Sequence, residues 1–247
     1  MIRTLLMVGI AAAALAVVAC QKQGGDDAAF GARVQAYLMA HPDDLQKALD
    51  HMQSYEQDAQ AKTEALADAK AKSDLPALRA ALERDPRDFV ANPDGRVTVT
   101  EFYDYRCPHC INIAPKVVSL IRQHPDVRFV FKEMPIFGAT SEHAARAALA
   151  AKAQGKDYVG LYEAFMAAHP LTDDAIDQLA AAKGVNLTEM NDPANVAKAN
   201  TQMQDISKLA TRLAIDGTPG FVVGDTIVYG EDYDSLAAAI DKAEGHT

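Results

Sequence analysis

The feature that most limits what this chain can fold into is a Cys-x-x-C set between a strand and a helix. Val97 to Tyr103 is a short run rich in β-branched and aromatic residues, the texture of a strand. Cys107-Pro108-His109-Cys110 follows directly. Pro108 suits a first helical turn, and the helix it opens extends to about Gln123. Val127 to Met134 then reads as a second strand, with Val127, Phe129 and Phe131 on one face. Strand, helix and strand make a βαβ unit, and right-handed crossover lays the two strands parallel.

Around this unit the punctuation is clear. Asn92-Pro93-Asp94-Gly95 signals a turn before the first strand. The stretch from Ser141 to Ala214 is helical throughout, with Ser141 and Thr172 as N-caps, Gly155 and Gly184 as stops, and Asp192-Pro193 as a cap with proline at the first helical position. Phe221–Gly224 and Thr226–Tyr229 form a hairpin joined at Gly224-Asp225. A helix from about Tyr233 to Ala243 closes the chain. The predicted order is β-α-β, a helical insert over about 140–215, then β-β-α, an α/β arrangement within a domain spanning 85–247.

The N-terminus has the grammar of export. Arg3 is followed by an apolar stretch from Leu5 to Val18 and small residues leading to Cys20, which together read as a signal peptide over 1–20. The stretch is shorter than the roughly 20 residues that span a bilayer. Val17-Val18-Ala19-Cys20 resembles a bacterial lipobox, which implies cleavage before Cys20, lipid on its sulfur, and anchoring to a membrane. Gln21 after it points toward the outer membrane. An ordinary signal peptide that happens to contain a cysteine is the plainer alternative. Residues 21–28 are polar and glycine-containing, as a tether would be.

Between tether and domain, residues 29–75 form a helical region. Phe30, Val34, Tyr37 and Leu38 share one helical face, and Leu45, Leu49 and Met52 share another after His41-Pro42. Beyond Tyr55 the pattern thins into Gln, Ala, Lys, Asp and Glu, a solvated helix or linker. Two apolar faces with little near them in sequence point to self-association into an oligomer, docking on the main domain or partial disorder being the alternatives.

Cysteine usage then becomes informative. There are three cysteines, and lipidation consumes Cys20. Only Cys107 and Cys110 remain, in a compartment where disulfides persist, so the pair is free to cycle between dithiol and disulfide. Exchange needs a thiolate, and a free cysteine has a pKa of about 8.5. A helix N-terminus favours negative charge at Cys107, and His109 and Arg106 are placed to add positive potential. Cys110, one turn on, is expected to be more buried. A zinc site is the rival reading, but structural zinc wants four ligands and no second Cys-x-x-C or His pair follows. A purely structural disulfide is the other. No cofactor beyond the redox-active Cys107–Cys110 pair is expected. With 24 Lys and Arg against 34 Asp and Glu, net charge −10, a nucleic-acid partner is excluded.

Three motifs in order give the chain a family resemblance: Glu101 six residues before Cys107, the Cys107-Pro108-His109-Cys110 tetrad, and Gly217-Thr218-Pro219 before the late strand. From about Asp94 onward the sequence resembles the DsbA family, whose thioredoxin fold carries an inserted helical domain. The resemblance implies that Cys107 is the nucleophile and Cys110 the resolving thiol. It further implies that Glu101, on the Val97 and Val99 side of its strand, moves protons beneath the pair, and that Thr218-Pro219 is a cis-proline site offering its backbone to substrate. Burial beside apolar residues would raise the pKa of Glu101. An ordinary salt-bridged Glu101 and a trans Pro219 are the plainer readings, and Lys132 on the neighbouring strand is a candidate partner for Glu101.

The N-terminal pattern Phe30-Gly31-x-Arg33-Val34-x-x-Tyr37-Leu38, with His41-Pro42, is similar to the helical extension of ScsC-like members. There the extension implies a trimer that shuffles wrong disulfides. Threonine before the proline points the same way, whereas Pro108-His109 is the pairing of the oxidising members. The resulting expectation is a periplasmic, oligomeric disulfide isomerase or reductase, acting on unfolded or misoxidised exported proteins and reset by a membrane redox partner. A monomeric thiol oxidase is the alternative, and a non-catalytic periplasmic chaperone is the alternative of another class.

Overall fold

A computed structural model describes residues 27–245. The signal peptide, most of the tether and Cys20 lie outside the described residues. The chain divides into two compact units, one ending at Glu64 and one starting at Ala65.

In the first unit α1 covers residues 27–40 and α2 (Pro42–Glu83) begins one residue later. Pro42 lacks an N–H, so it starts a helix more readily than it continues one. Asp43 and Asp44 in the first turn of α2 face its positive dipole end. The Tyr37 hydroxyl donates to Asp44 Oδ2 at 3.1 Å across the break. Phe30, Val34, Tyr37, Met39, Leu45, Leu49, Met52 and Tyr55 are all exposed.

The second unit is built on a five-stranded sheet in the order β1-β3-β2-β4-β5. The strands are β1 (Phe89–Ala91), β2 (Val97–Tyr103), β3 (Val127–Glu133), β4 (Gly220–Val223) and β5 (Thr226–Tyr229). β2 and β3 are parallel, joined through α3 (Pro108–Gln123), and every other pairing is antiparallel. Alternation along the strands sends Val99, Tyr103, Phe129, Phe131 and Phe221 to one face, into a core with Ile113 and Val117 of α3 and with Leu236 and Ile240 of α9 (Tyr233–Glu244). Phe102 and Val222 point the other way.

That second face is covered from an unexpected quarter. The C-terminal part of α2 buries Leu75, Leu78 and Leu82 in one cluster with Phe102, Ile206, Leu209 and Leu213, and Ala71 is buried one turn earlier. The charge-rich stretch after Tyr55 therefore does not end in a loop. It runs on as helix to Glu83, and from Ala71 it belongs to the core of the second unit.

The insert holds α4 (Ala139–Ala153), α5 (Tyr158–Ala167), α6 (Asp173–Ala182), α7 (Leu187–Met190) and α8 (Pro193–Arg212). Thr172 caps α6 by accepting from the Ala175 N–H at 3.2 Å, and Asp192 caps α8. Gly155 and Gly184 adopt positive φ after α4 and α6, where a side chain would be strained. Ser141 is not a cap. α4 starts at Ala139, and the Ser141 hydroxyl instead donates to Asp104 Oδ1 at 2.8 Å. No described helix is long and apolar enough to cross a membrane.

Candidate active site

Cys107 is the residue before the first turn of α3, with Pro108 at the first helical position. Its backbone carbonyl accepts from the Ile111 N–H at 3.0 Å, which closes the first turn and leaves the neighbouring amides aimed at its own side chain. Cys107 and Cys110 are both free thiols and both buried, whereas Pro108 and His109 are exposed.

The two sulfurs have opposite environments. The Cys107 thiol is pulled down from its ordinary 9.0 to about 5, chiefly by the Cys110 thiol, then by the Thr218 side chain and by the backbone amides of Cys110 and His109, with burial opposing. Cys110 is driven far upward, first by burial and then by Cys107. At neutral pH one sulfur is a thiolate and the other keeps its proton.

The loop between α8 and β4 supplies the opposite wall. The Thr218–Pro219 bond is cis, and the Cys107 sulfur lies 3.0 Å from the Thr218 carbonyl oxygen. Phe102 pairs with Gly220 across β2 and β4, so the sheet register carries this loop to the start of α3.

Asp104, which the sequence did not single out, fastens a third loop to the same place. Its carboxylate accepts from the amides of Arg106, Ile136 and Phe137 at 2.7, 2.7 and 3.0 Å as well as from Ser141. Ile136 and Phe137, part of the loop so fastened, are large exposed apolar residues.

Both basic side chains near Cys107 have partners of their own. The His109 ring lies 3.3 Å from Glu231, and the Arg106 guanidinium donates to the Phe137 carbonyl at 2.9 Å. What His109 gives Cys107 is its backbone N–H.

Glu101 is buried in β2. Desolvation lifts its carboxyl from 4.5 to about 8, opposed by the Tyr162 hydroxyl and assisted by Glu133. Tyr162 donates to Glu101 Oε1 at 3.2 Å. Lys132 is not its partner. Phe131 lies opposite Glu101 in the register and Lys132 opposite Phe102, so pleating turns Lys132 to the other face. There it is paired with Asp88 and donates to the Ala81 carbonyl at 2.6 Å. The residue that does share Glu101's face is Glu133, two positions beyond Phe131. Its phase with Phe129 and Phe131 was readable in the sequence.

Among the described residues no group of three or more His, Cys, Asp or Glu is placed to hold a metal. The arrangement is a stabilised thiolate at Cys107, a second and protonated thiol at Cys110, a buried acid, and a peptide carbonyl beside the Cys107 sulfur.

The chain's likenesses agree with this chemistry. Residues 98–241 match the model of the DSBA-like thioredoxin domain. A thiol:disulfide interchange protein DsbA from Bordetella pertussis is 31% identical over 161 residues, covering 60% of this chain and 75% of that protein. A thioredoxin-like oxidoreductase from Silicibacter pomeroyi superposes with TM-score 0.62 at 35% identity, covering 68% of this chain and 98% of that one. Proteus mirabilis ScsC in a transitional conformation superposes with TM-score 0.65 over 91% of this chain and 99% of its own, at 24% identity, a likeness of fold.

Proposed function

The chain belongs to the DSBA-like thioredoxin domain family, and on that footing we propose that it is an exported, oligomeric disulfide isomerase or reductase working through Cys107 and Cys110. The broader assignment, a thiol–disulfide oxidoreductase, comes with the family. The proposal adds direction, assembly and place: a periplasmic protein held to a membrane by lipid on Cys20, acting on misoxidised exported proteins and reset by a membrane redox partner.

The observation that carries the chemistry is the contrast between the two sulfurs. Cys107, as thiolate, attacks a substrate disulfide to give a mixed disulfide and a substrate thiolate. For isomerisation that thiolate attacks another substrate disulfide, and the chain of exchanges returns to Cys107. For reduction Cys110 attacks the Cys107 sulfur, closing the Cys107–Cys110 bond and releasing the substrate thiol. Pro108 fixes the start of α3, His109 supplies an amide to the thiolate, and Glu101 trades a proton with Cys110. Thr218 and Pro219 present an extended substrate with backbone to pair against. The redox-active pair is the only cofactor this scheme requires.

Assembly rests on the first unit. Eight large apolar side chains exposed over residues 30–55 are more than a solitary helical segment leaves in water, and copies of the same face cover them economically. A trimer is the form implied by the ScsC-like pattern. One observation favours a second reading: a thiol pulled down to about 5 stabilises the reduced form and makes the disulfide a strong oxidant, which suits a monomeric oxidase.

Reactivation of scrambled RNase, beside oxidation of reduced RNase, separates these readings. The protein is compared with a form lacking residues 29–64, a cut that spares Ala71 and Leu75. Reactivation that collapses on truncation is the expected result. Oxidation alone, indifferent to truncation, identifies the monomeric oxidase. Activity in neither assay, with client binding that survives Cys107→Ser and Cys110→Ser together, identifies the chaperone.

A further inference from the structure

Behind the cysteines lies a second buried carboxylate that no step above uses. Glu133 ends β3, 1% exposed, and its Oε1 is the meeting point of three phenols. Tyr103 and Tyr158 each donate to it at 2.6 Å and Tyr105 at 3.2 Å. Glu133 Oε2 is buried without a partner. The hydroxyl of Tyr103 also lies 2.9 Å from that of Tyr105 and 2.7 Å from that of Tyr158.

A phenol has one proton to give. With Glu133 ionised, all three protons point at Oε1, and two contacts of 2.6 Å are the length of charge-assisted O–H···O⁻ bonds. With Glu133 protonated, one tyrosine is released to donate to its neighbour. The same heavy-atom frame therefore serves both states, and a proton can enter or leave without repacking.

Glu101 is the next carboxylate along the same sheet face, since Tyr103 pairs with Glu133 and Glu101 with Phe131. The groups acting on Glu133 come from three elements: Tyr103 on β2, Asp104 and Tyr105 in the loop after it, and Tyr158 on α5. They are hydroxyls and a carboxylate. Glu101 feels Glu133 and Tyr162, and in turn acts on Cys110. Burial lifts both carboxyls to about 8, and as the pair loses its first proton the donors around each decide which holds the charge. Glu133 has three hydroxyls on one oxygen, whereas Glu101 has a single donor, at 3.2 and 3.5 Å from its two oxygens.

We propose that Glu133, seated among Tyr103, Tyr105 and Tyr158, is a positioning residue for disulfide exchange: it takes the negative charge of the pair and so keeps a proton on Glu101 for Cys110. The inference rests on the reading of Glu101 as the proton-trading group. In the step it serves, an incoming thiolate attacks Cys107 of the oxidised pair. The new S–S bond forms at Cys107, the Cys107–Cys110 bond breaks with its electron pair leaving on Cys110, and the Glu101 proton moves to that sulfur. In reverse Cys110 returns the proton to Glu101 as it attacks.

The test is the titration of the Glu101 carboxyl in the oxidised full-length protein, followed by infrared difference spectroscopy and assigned by its loss in Glu101→Gln. In Glu133→Gln the Glu101 inflection moves to lower pH by about one unit or more, as removal of a neighbouring like charge requires. Tyr158→Phe removes one donor, weakens the charge on Glu133, and moves the inflection the same way by less. The pH profile for reduction of the Cys107–Cys110 disulfide by dithiothreitol shifts with it, and adding Glu133→Gln to Glu101→Gln changes nothing further. An inflection that stays in place in both single variants overturns the proposal, and Tyr158→Phe alone decides it if Glu133→Gln does not fold. A wild-type profile unaltered by Glu101→Gln overturns the proton role of Glu101 itself, a separate result that the infrared arm distinguishes.

Discussion

The sulfur of Cys107 sits 3.0 Å from the carbonyl oxygen of Thr218, a residue 111 positions later in the chain. The contact joins the start of α3 to the cis Thr218–Pro219 loop. Under the proposed function, a substrate segment lying along that loop is brought against Cys107, so one contact would serve both attack and pairing.

The depressed Cys107 thiol has a thermodynamic consequence. Its pKa falls from 9.0 to about 5 on folding, so the reduced fold binds fewer protons at that site than the unfolded chain between these values. The stabilisation is complete above 9.0 and is lost as pH falls through about 5. The melting temperature of the reduced protein minus that of the oxidised protein should therefore shrink as pH is lowered from 7 to 4. The same inflection near 5 should govern alkylation of Cys107.

Glu101 and Glu133 push in the other direction. Both carboxyls rise from 4.5 to about 8 by burial, so the folded protein retains protons the unfolded chain has lost. Their contribution is whole below 4.5 and is lost as pH rises to about 8. Unfolding in denaturant should show stability of the oxidised protein declining across that window, with a shallower decline in Glu101→Gln.

Lys132 and Asp88 form a buried pair on the face away from the cysteines. Lys132→Met leaves Asp88 uncompensated and should cost about 3–5 kcal/mol in urea unfolding. Titration of Cys107 should be unchanged, because the sheet lies between. A shifted Cys107 titration would return Lys132 to the site.

Leucines of α2 divide by position. Leu82 is fully buried, and Leu82→Ala should destabilise the second unit by about 2–5 kcal/mol. Leu49 is exposed. Leu49→Ala should leave that unit's unfolding unchanged and lower the mass of the proposed oligomer in light scattering.

The parts legible in the sequence are those whose signals are local. β2, α3, β3, the hairpin and the closing helix follow from run length, caps and alternation, and Glu101 follows from its phase with Val97 and Val99. What escaped depends on partners distant in the chain. β1 is three residues long, too short to alternate, and exists because Phe89 to Ala91 lies beside Phe129 to Phe131. The last turns of α2 look like linker until Leu75 and Leu82 meet Phe102 and Leu209. Lys132 looked adjacent to Glu101 until the register placed it one residue out of phase. Asp104 is an ordinary loop aspartate until four donors converge on it.

The most direct test of the account is capture of the intermediate. Cys110→Ser leaves Cys107 able to attack but unable to be resolved. Incubated with a disulfide-bonded client and resolved by non-reducing electrophoresis and mass spectrometry, it should accumulate a covalent adduct through Cys107, absent when Cys107→Ser is added and dissolved by reductant. A Cys110→Ser protein that folds, exposes Cys107 to alkylation and yet forms no adduct with disulfide-bonded clients would contradict disulfide exchange at this site.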